Sequence, residues 1–181
     1  MTGTADPTPP PSVIMGSTPP RSLVITVSNR AAAGVYEDTA GPVLVAGLRA
    51  AGFAVDGPQI VPDGDPVGAA LRAAIAAGYA VVVTTGGTGL NPHDATPEQT
   101  APLLDRPVPG IAEALRATGL AKGVATAMLS RGVAGLAGST LVVNVAGSPG
   151  ACCDAVEVLA AVLPHAVDQR RGGDHPRSAP A

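Results

Sequence analysis

The sequence predicts an α/β fold in which a mainly parallel sheet is sandwiched between helices, and three observations predict it. Residues 23–28 (Leu-Val-Ile-Thr-Val-Ser) and 80–85 (Ala-Val-Val-Val-Thr-Thr) are short, nearly continuous apolar runs, as expected of strands buried on both faces. Helical stretches separate the runs, so the order strand, helix, strand, helix, strand implies right-handed crossovers. Glycine-containing segments then follow the strands, on the edge where open α/β sheets bind ligands.

Taken in order, residues 23–28 form the first strand and a glycine-containing loop follows. A helix is expected over about 39–51, closed by Gly52 at a C-cap position. Residues 53–61 read as the second strand, broken near Gly57-Pro58. Asp65 or Pro66 opens the next helix, which runs through Leu71 and Ile75 to Gly78. Residues 80–85 are the third strand. Pro109 starts a helix over about 109–118 and Gly119 lies past its end. Residues 124–129 fit either helix or strand, while 131–137 and 140–145 look like two strands joined at Gly138-Ser139. The last helix covers about 149–169, with Val156, Leu159, Val162 and Leu163 apolar and Pro164 a kink position. Residues 1–20, rich in Pro, Thr and Ser, and residues 170–181 bury too little apolar surface to offset their ordering entropy. Both are expected to be disordered tails around a single domain at 21–169.

Composition narrows the function classes. The 181 residues are 46% hydrophobic, with a mean hydropathy of +0.31, enough for one sizeable core. Aromatic residues make up only 2% and there is no Trp. The core is therefore expected to be close-packed Val, Leu, Ile and Ala. A net charge of −3 offers no basic stripe to displace counterions from phosphates, which argues against a nucleic-acid partner. Lys122 is the one lysine; the other cations are arginines. Cys152 and Cys153 are adjacent, poorly placed to bridge each other, and expected to be reduced thiols. No uninterrupted apolar run approaches the ~20 residues of a bilayer span, and the start lacks a secretory pattern, so a cytoplasmic address without a membrane partner is expected.

The segment Thr84-Thr85-Gly86-Gly87-Thr88-Gly89 through Thr96-Pro97-Glu98 is the strongest candidate site. Gly86, Gly87 and Gly89 let backbone N–H groups approach an anion without Cβ obstruction, and Thr85 and Thr88 add hydroxyl donors. Thr96 reads as an N-cap with Pro97 at the first helical position, a start that favours phosphate. Asp63 and Asp94 lie on ligand-edge loops, and carboxylates with substrate phosphates are what Mg²⁺ prefers. Taken singly, each aspartate is more often a turn former or cap. Gly147-Ser148-Pro149 is a further ligand-edge stretch that opens a helix. A P-loop and a Gly-x-Gly-x-x-Gly fingerprint are both absent from the sequence, and His93, His165 and His175 do not make a metal-ligand spacing.

At these residues the chain resembles the MogA/MoaB family of molybdenum-cofactor biosynthesis proteins, whose fold also occurs in the gephyrin G domain. The resemblance runs from about residue 21 to 166. It rests on Ser28-x-Arg30, residues 34–38, Val61-Pro62-Asp63, the Thr84 to Gly89 loop and Asp94-x-Thr96-Pro97-Glu98. It continues through Pro109-Gly110-Ile111-x-Glu113, Ser130-Arg131, Ala134-Gly135 and Gly147-Ser148. The resemblance implies a three-layer α/β fold, usually a trimer, that binds molybdopterin, with other molybdenum-cofactor enzymes as further partners. In its catalytic members ATP and Mg²⁺ serve to adenylylate the molybdopterin phosphate, releasing pyrophosphate. By motif position, Asp63 and Asp94 match the metal and catalytic aspartates, and Gly86, Gly87, Thr88 and Gly89 match the loop at the ligand phosphate. Ser130, Arg131, Gly147 and Ser148 match positions lining the pterin and nucleotide pocket.

The chain also departs from that pattern. His93 stands where catalytic members commonly carry arginine, and Ala146 stands where many have proline. Residues 130–143 are closer to MoaB-like members. The favoured expectation is a molybdopterin adenylyltransferase. Its alternatives are a non-catalytic molybdopterin-binding scaffold and, with no support in the sequence, a pterin carbinolamine dehydratase, which would want the three histidines converging.

Overall fold

The computed structural model describes residues 18–170 and 172. The tails expected at 1–20 and 170–181 lie outside them, except residues 18–20, 170 and 172. Arg170, expected in the tail, is instead the last residue of the final helix.

The chain runs through β1 (Arg21–Val27), a one-turn helix α1 (Asn29–Ala32), α2 (Gly41–Ala50), β2 (Ala54–Val61), α3 (Asp65–Ala76) and β3 (Val81–Thr85). The second half adds α4 (Thr96–Thr100), β4 (Arg106–Pro107), α5 (Pro109–Ala121), β5 (Ala134–Ala137), β6 (Thr140–Val145) and α6 (Pro149–Arg170). One six-stranded sheet has the order β2-β1-β3-β6-β5-β4. The β2, β1, β3 and β6 neighbours pair in parallel, and β5 and β4 continue the sheet antiparallel. This is the expected fold class, with an antiparallel extension at one side.

Alternation explains why the strands read as unbroken apolar runs. Val24, Val81, Val83 and Val143 face a core shared with α2, α5 and α6. Leu23, Ile25, Val82 and Val142 face the opposite core, with Val67, Leu71 and Ala74 of α3. Both faces of the central strands are therefore dry, and no polar alternation survives in them.

Several boundaries differ from expectation for local reasons. The loop after β1 contains α1, because the Ser28 hydroxyl accepts from Ala31 N–H and caps a single turn. The break expected at Gly57-Pro58 is an irregularity in register between β1 and β2, opposite Leu23 to Ile25. Residues 125–129 form a 3₁₀ helix, and a two-residue edge strand, β4, lies where none was expected. The strand read from residue 131 starts at Ala134, because Arg131 N–H is drawn away to the Thr88 carbonyl at 2.8 Å.

The helix α6 corrects the expectation that no segment reaches spanning length. Its 22 residues are long and apolar enough to cross a membrane by length and composition. Cys152, Ala155, Leu159, Leu163 and Val167 recur at helical spacing and are buried in the core it shares with α2. One face of it is thus packed on the core of this domain, and it continues through Pro164.

The contact between α2 and α6 has almost no spare volume. A Cβ on Gly47 would collide with the branched side chain of Val156. Gly47→Ala should therefore lower stability by about 1–3 kcal/mol, although alanine is the better helix former. Urea denaturation checks this, and the double variant with Val156→Ala should be more stable than the two single losses summed. Burial also pushes the Cys152 thiol up to about 11, a rise only partly offset by its contact with the Thr85 hydroxyl. At pH 8 Cys152 is then almost wholly protonated, whereas Cys153 is exposed. A thiol reagent should titrate one cysteine in the native protein and two after denaturation, and rapid modification of both would contradict the packing.

Candidate functional site

Register brings the ends of the central strands level, with Thr26 opposite Thr85 and Thr85 opposite Val145. The loops after β1, β2, β3 and β6 consequently emerge on one edge. Gly86 N–H donates to the Val145 carbonyl at 3.0 Å and holds the start of the β3 loop against the end of β6. Gly86 has φ +104, and a Cβ there would collide with the Val27 carbonyl. A Cβ on Gly147 would lie 3.0 Å from Gly86 Cα. At Gly86 the glycine is demanded by φ and backbone approach, and at Gly147 the approach is tight.

Beside these backbones opens a cavity of about 570 Å³. One wall is the Gly86 to Gly89 loop. Facing it is the start of α6, where Gly147, Ser148, Gly150 and Ala151 line the space. The Ser148 hydroxyl accepts from Ala151 N–H at 3.2 Å and caps the helix. The positive end of a 22-residue helix thus borders the same space as the glycine loop. Ala112, Leu115, Val124 and Leu129 supply an apolar wall, and Asp94, Asp154, Arg116 and Lys122 supply charge of both signs. One end suits phosphate, and the apolar wall suits a flat ring.

The structure divides the candidate residues into two groups. Gly86, Gly87, Thr88, Gly89, Asp94, Ser130, Gly147 and Ser148 all line this cavity. Asp63, Thr85, Thr96 and Arg131 do not, and each has a visible reason. The Thr85 hydroxyl is buried, donating to the Ala146 carbonyl at 3.0 Å and touching Cys152 Sγ. Arg131 spends its guanidinium on the Gly89 and Asp94 carbonyls, each at 2.8 Å, and on the Glu98 carboxylate. That hydrogen bond from Arg131 holds the Glu98 carboxyl below its usual range. Asp63 Oδ1 accepts from Gly64 N–H at 2.9 Å and from Ala95 N–H at 3.0 Å. It therefore ties the β2 loop to the residue after Asp94, while its Oδ2 lies against Gly87.

Thr96 is not the N-cap. Ala95 takes that place without a side-chain bond, Thr96 is the first helical residue, and α4 is only five residues long. The Thr96 hydroxyl is buried and without a partner among the described residues, beside Gly87 like Asp63 Oδ2. The helix terminus that faces the cavity belongs to α6. His93 is exposed and outside the lining, its N–H bonded to Asn91 Oδ1. His165 borders a separate cavity at the other end of α6, so these two described histidines do not converge.

Three contributors escaped the sequence reading. Arg116 lines the cavity and donates through Nη1 to the Ser130 and Gly132 carbonyls, but on a helix it reads as a solvated charge. Lys122 bonds Asp154 at 2.8 Å and Glu157 at 2.7 Å, bracing the end of α5 against α6 at the cavity wall. Asn144 donates to the Thr84 and Thr100 hydroxyls, each at 3.0 Å, and accepts from Val133 N–H at 3.2 Å. Its signal was available: an amide within the otherwise apolar end of a strand needs buried partners.

Comparison with known proteins agrees with this geometry. Residues 23–165 match a family described as a probable molybdopterin binding domain. A molybdenum cofactor biosynthesis bifunctional protein of Chlorobaculum tepidum is 41% identical over 158 residues, covering 86% of this chain and 50% of that protein. The chain thus spans about half the length of such bifunctional relatives. A molybdopterin adenylyltransferase of Haemophilus influenzae is 37% identical over 139 residues, covering 74% of this chain and 70% of that one. Among solved structures, the molybdopterin biosynthesis Mog protein of Mycobacterium ulcerans superposes with a TM-score of 0.81 at 46% identity, covering 86% of this chain and 99% of its own. With a cavity walled by a glycine loop and a helix start, and a match across most of its length, the chain belongs to the molybdopterin-binding domain family of molybdenum-cofactor biosynthesis.

Proposed function

We propose that this chain binds molybdopterin and adenylylates its phosphate with Mg-ATP in molybdenum-cofactor biosynthesis. One observation carries the reading: the Gly86 to Gly89 loop and the start of α6 border one cavity that also holds Asp94 and an apolar wall. The backbone N–H groups of the loop and the helix dipole favour phosphate. Ala112, Leu115 and Leu129 offer the pterin a dry surface, and Arg116 offsets polyanion charge, Lys122 being held by Asp154 and Glu157. In the transfer, a phosphate oxygen of molybdopterin attacks the α-phosphorus of ATP. The bond from that phosphorus to the oxygen bridging to the β-phosphate breaks, and pyrophosphate leaves with the electron pair. Such chemistry asks the protein mainly to align two polyanions and balance their charge.

Asp94 and Asp63 offer hard carboxylate oxygens of the kind Mg²⁺ prefers, and the buried Thr96 hydroxyl beside Asp63 has no hydrogen-bond partner among the described residues; these side chains would hold the ion. When bound, the ion neutralises triphosphate charge. Asp63 also positions Asp94, because its bond to Ala95 N–H anchors the segment on which Asp94 sits. The family resemblance extends the proposal to a cytoplasmic homotrimer.

His93, exposed at a position where catalytic relatives carry arginine, favours the second reading, a molybdopterin-binding protein without transfer activity. Incubation of the full chain with molybdopterin, ATP and Mg²⁺ separates the two. Pyrophosphate release is expected, and its absence with pterin binding intact would establish the non-catalytic reading. Asp94→Ala should cut release by roughly 10²-fold or more, with molybdopterin affinity, read by pterin fluorescence, nearly unchanged. Wild-type turnover in that variant would sink the catalytic role of Asp94.

A further inference from the structure

We infer that Arg131 is a positioning residue: a clamp that closes the two ends of the β3 loop on each other, and not a ligand contact. The inference rests on the adenylylation reading for its kinetic consequence, but its geometry stands apart from it. The loop leaves β3 at Gly86 and reaches α4 at Thr96, with glycine at 86, 87 and 89. Such a segment has many backbone conformations to lose, and holding one of them needs bonds from outside the loop.

Arg131 supplies those bonds to both ends. On the outgoing side its backbone N–H donates to the Thr88 carbonyl at 2.8 Å, and Nε donates to the Gly89 carbonyl at 2.8 Å. On the returning side Nη2 donates to the Asp94 carbonyl at 2.8 Å, and Nη1 reaches the Glu98 carboxylate. Within the loop, Asp94 N–H meets the Asn91 carbonyl at 2.9 Å and Asn91 N–H meets Asp94 Oδ2 at 3.2 Å at the tip, and one bond crosses the base, from Thr96 N–H to the Gly87 carbonyl at 3.0 Å; Arg131 holds the stretch between them. A planar fork is the side chain that can hold two carbonyls and a carboxylate at once. A lysine ammonium on a flexible stem keeps the charge but not that geometry. Because the side chain is spent in this way, it stays off the cavity lining while Gly89 and Asp94, which it grips, are on it.

The Glu98 contact is the least demanding of the set. Glu98 is 55% exposed, and an exposed ion pair contributes little by itself. The clamp's effect must therefore come from the two carbonyls, which separates a geometric role from a purely electrostatic one.

The test compares Arg131→Lys, Arg131→Ala and Glu98→Gln in the full chain. It reads kcat and KM for pyrophosphate release and the amide resonances of Gly86, Gly87 and Gly89 without ligand. Arg131→Lys should lower kcat roughly 10- to 100-fold, as misplacement of a positioned group does, with KM for molybdopterin nearly unchanged. The glycine amides should shift or broaden while the rest of the spectrum stays folded. Glu98→Gln should leave kcat within about 3-fold of wild type, since a weak surface pair is all that is lost. Millimolar guanidinium should restore part of the Arg131→Ala activity, keeping the test valid if the lysine variant folds poorly. Unmoved glycine amides in both Arg131 variants overturn the clamp, and a rise in KM alone makes Arg131 a direct ligand contact instead. If the wild type releases no pyrophosphate, the adenylylation reading fails, and the ligand-free amide shifts still decide the clamp.

Discussion

Gly86 has no room for a side chain against the Val27 carbonyl, Gly147 lies tight against Gly86, and most of the site follows from these two approaches. The carboxyl ends of β1, β3 and β6 arrive level, and the Gly86 amide is bonded to the Val145 carbonyl. With Val27 crowding Gly86 from the β1 side, the β3 loop is pressed against the first residues of α6. Two sources of backbone N–H groups, one a loop and one a helix end, thereby border one space. A Cβ at Gly86 would push the loop off β1, and one at Gly147 would crowd the loop from the α6 side.

The rest of the site hangs from buried and half-buried polar links that tie its elements together. Asn144 connects β6 to Thr84 of β3 and Thr100 of α4, and receives the amide of Val133 from the stretch leading into β5. Asp38 plays a similar part before α2, accepting from Ala40 and Gly41 N–H at 3.0 and 2.9 Å while its other oxygen takes the Thr26 hydroxyl at 2.6 Å. Each link is between groups that would be costly to leave unpaired, so each holds its two elements in one arrangement. An aliphatic interior of valine, leucine and alanine has no directional preference, and these few amides and carboxylates provide it.

How much could be read beforehand varied with the kind of information a residue carries. The parallel core was legible because strands such as 81–85 are dry on both faces and leave an apolar run as their trace. The glycine loop was legible because close backbone approach admits one residue type. What could not be read is where a polar side chain spends its donors. Thr85, Thr96 and Arg131 sit within or beside motifs that line the cavity, yet Thr85 turns to Ala146, Thr96 is sealed beside Gly87, and Arg131 faces the loop carbonyls. Short elements also resist reading, since β4 has two residues and α4 five. Their conformation is decided by partners far away in the chain, such as Leu136 across from Arg106. Likewise α6 looks like a spanning segment until its buried stripe and the Lys122 bonds to Asp154 and Glu157 are seen.

That last contact has a practical side. The sequence carries a single lysine, and it stands at the wall of the cavity, 43% exposed, between two carboxylates. The hydrogen bonds it donates to Asp154 and then Glu157 raise its pKa, so the amine is a slow nucleophile while both acids hold it. An amine-reactive dye offered to the folded chain thus has one side-chain address, next to the space a ligand enters. The molecule carries a built-in attachment point for a distance or fluorescence reporter, placed there by its near-total preference for arginine elsewhere.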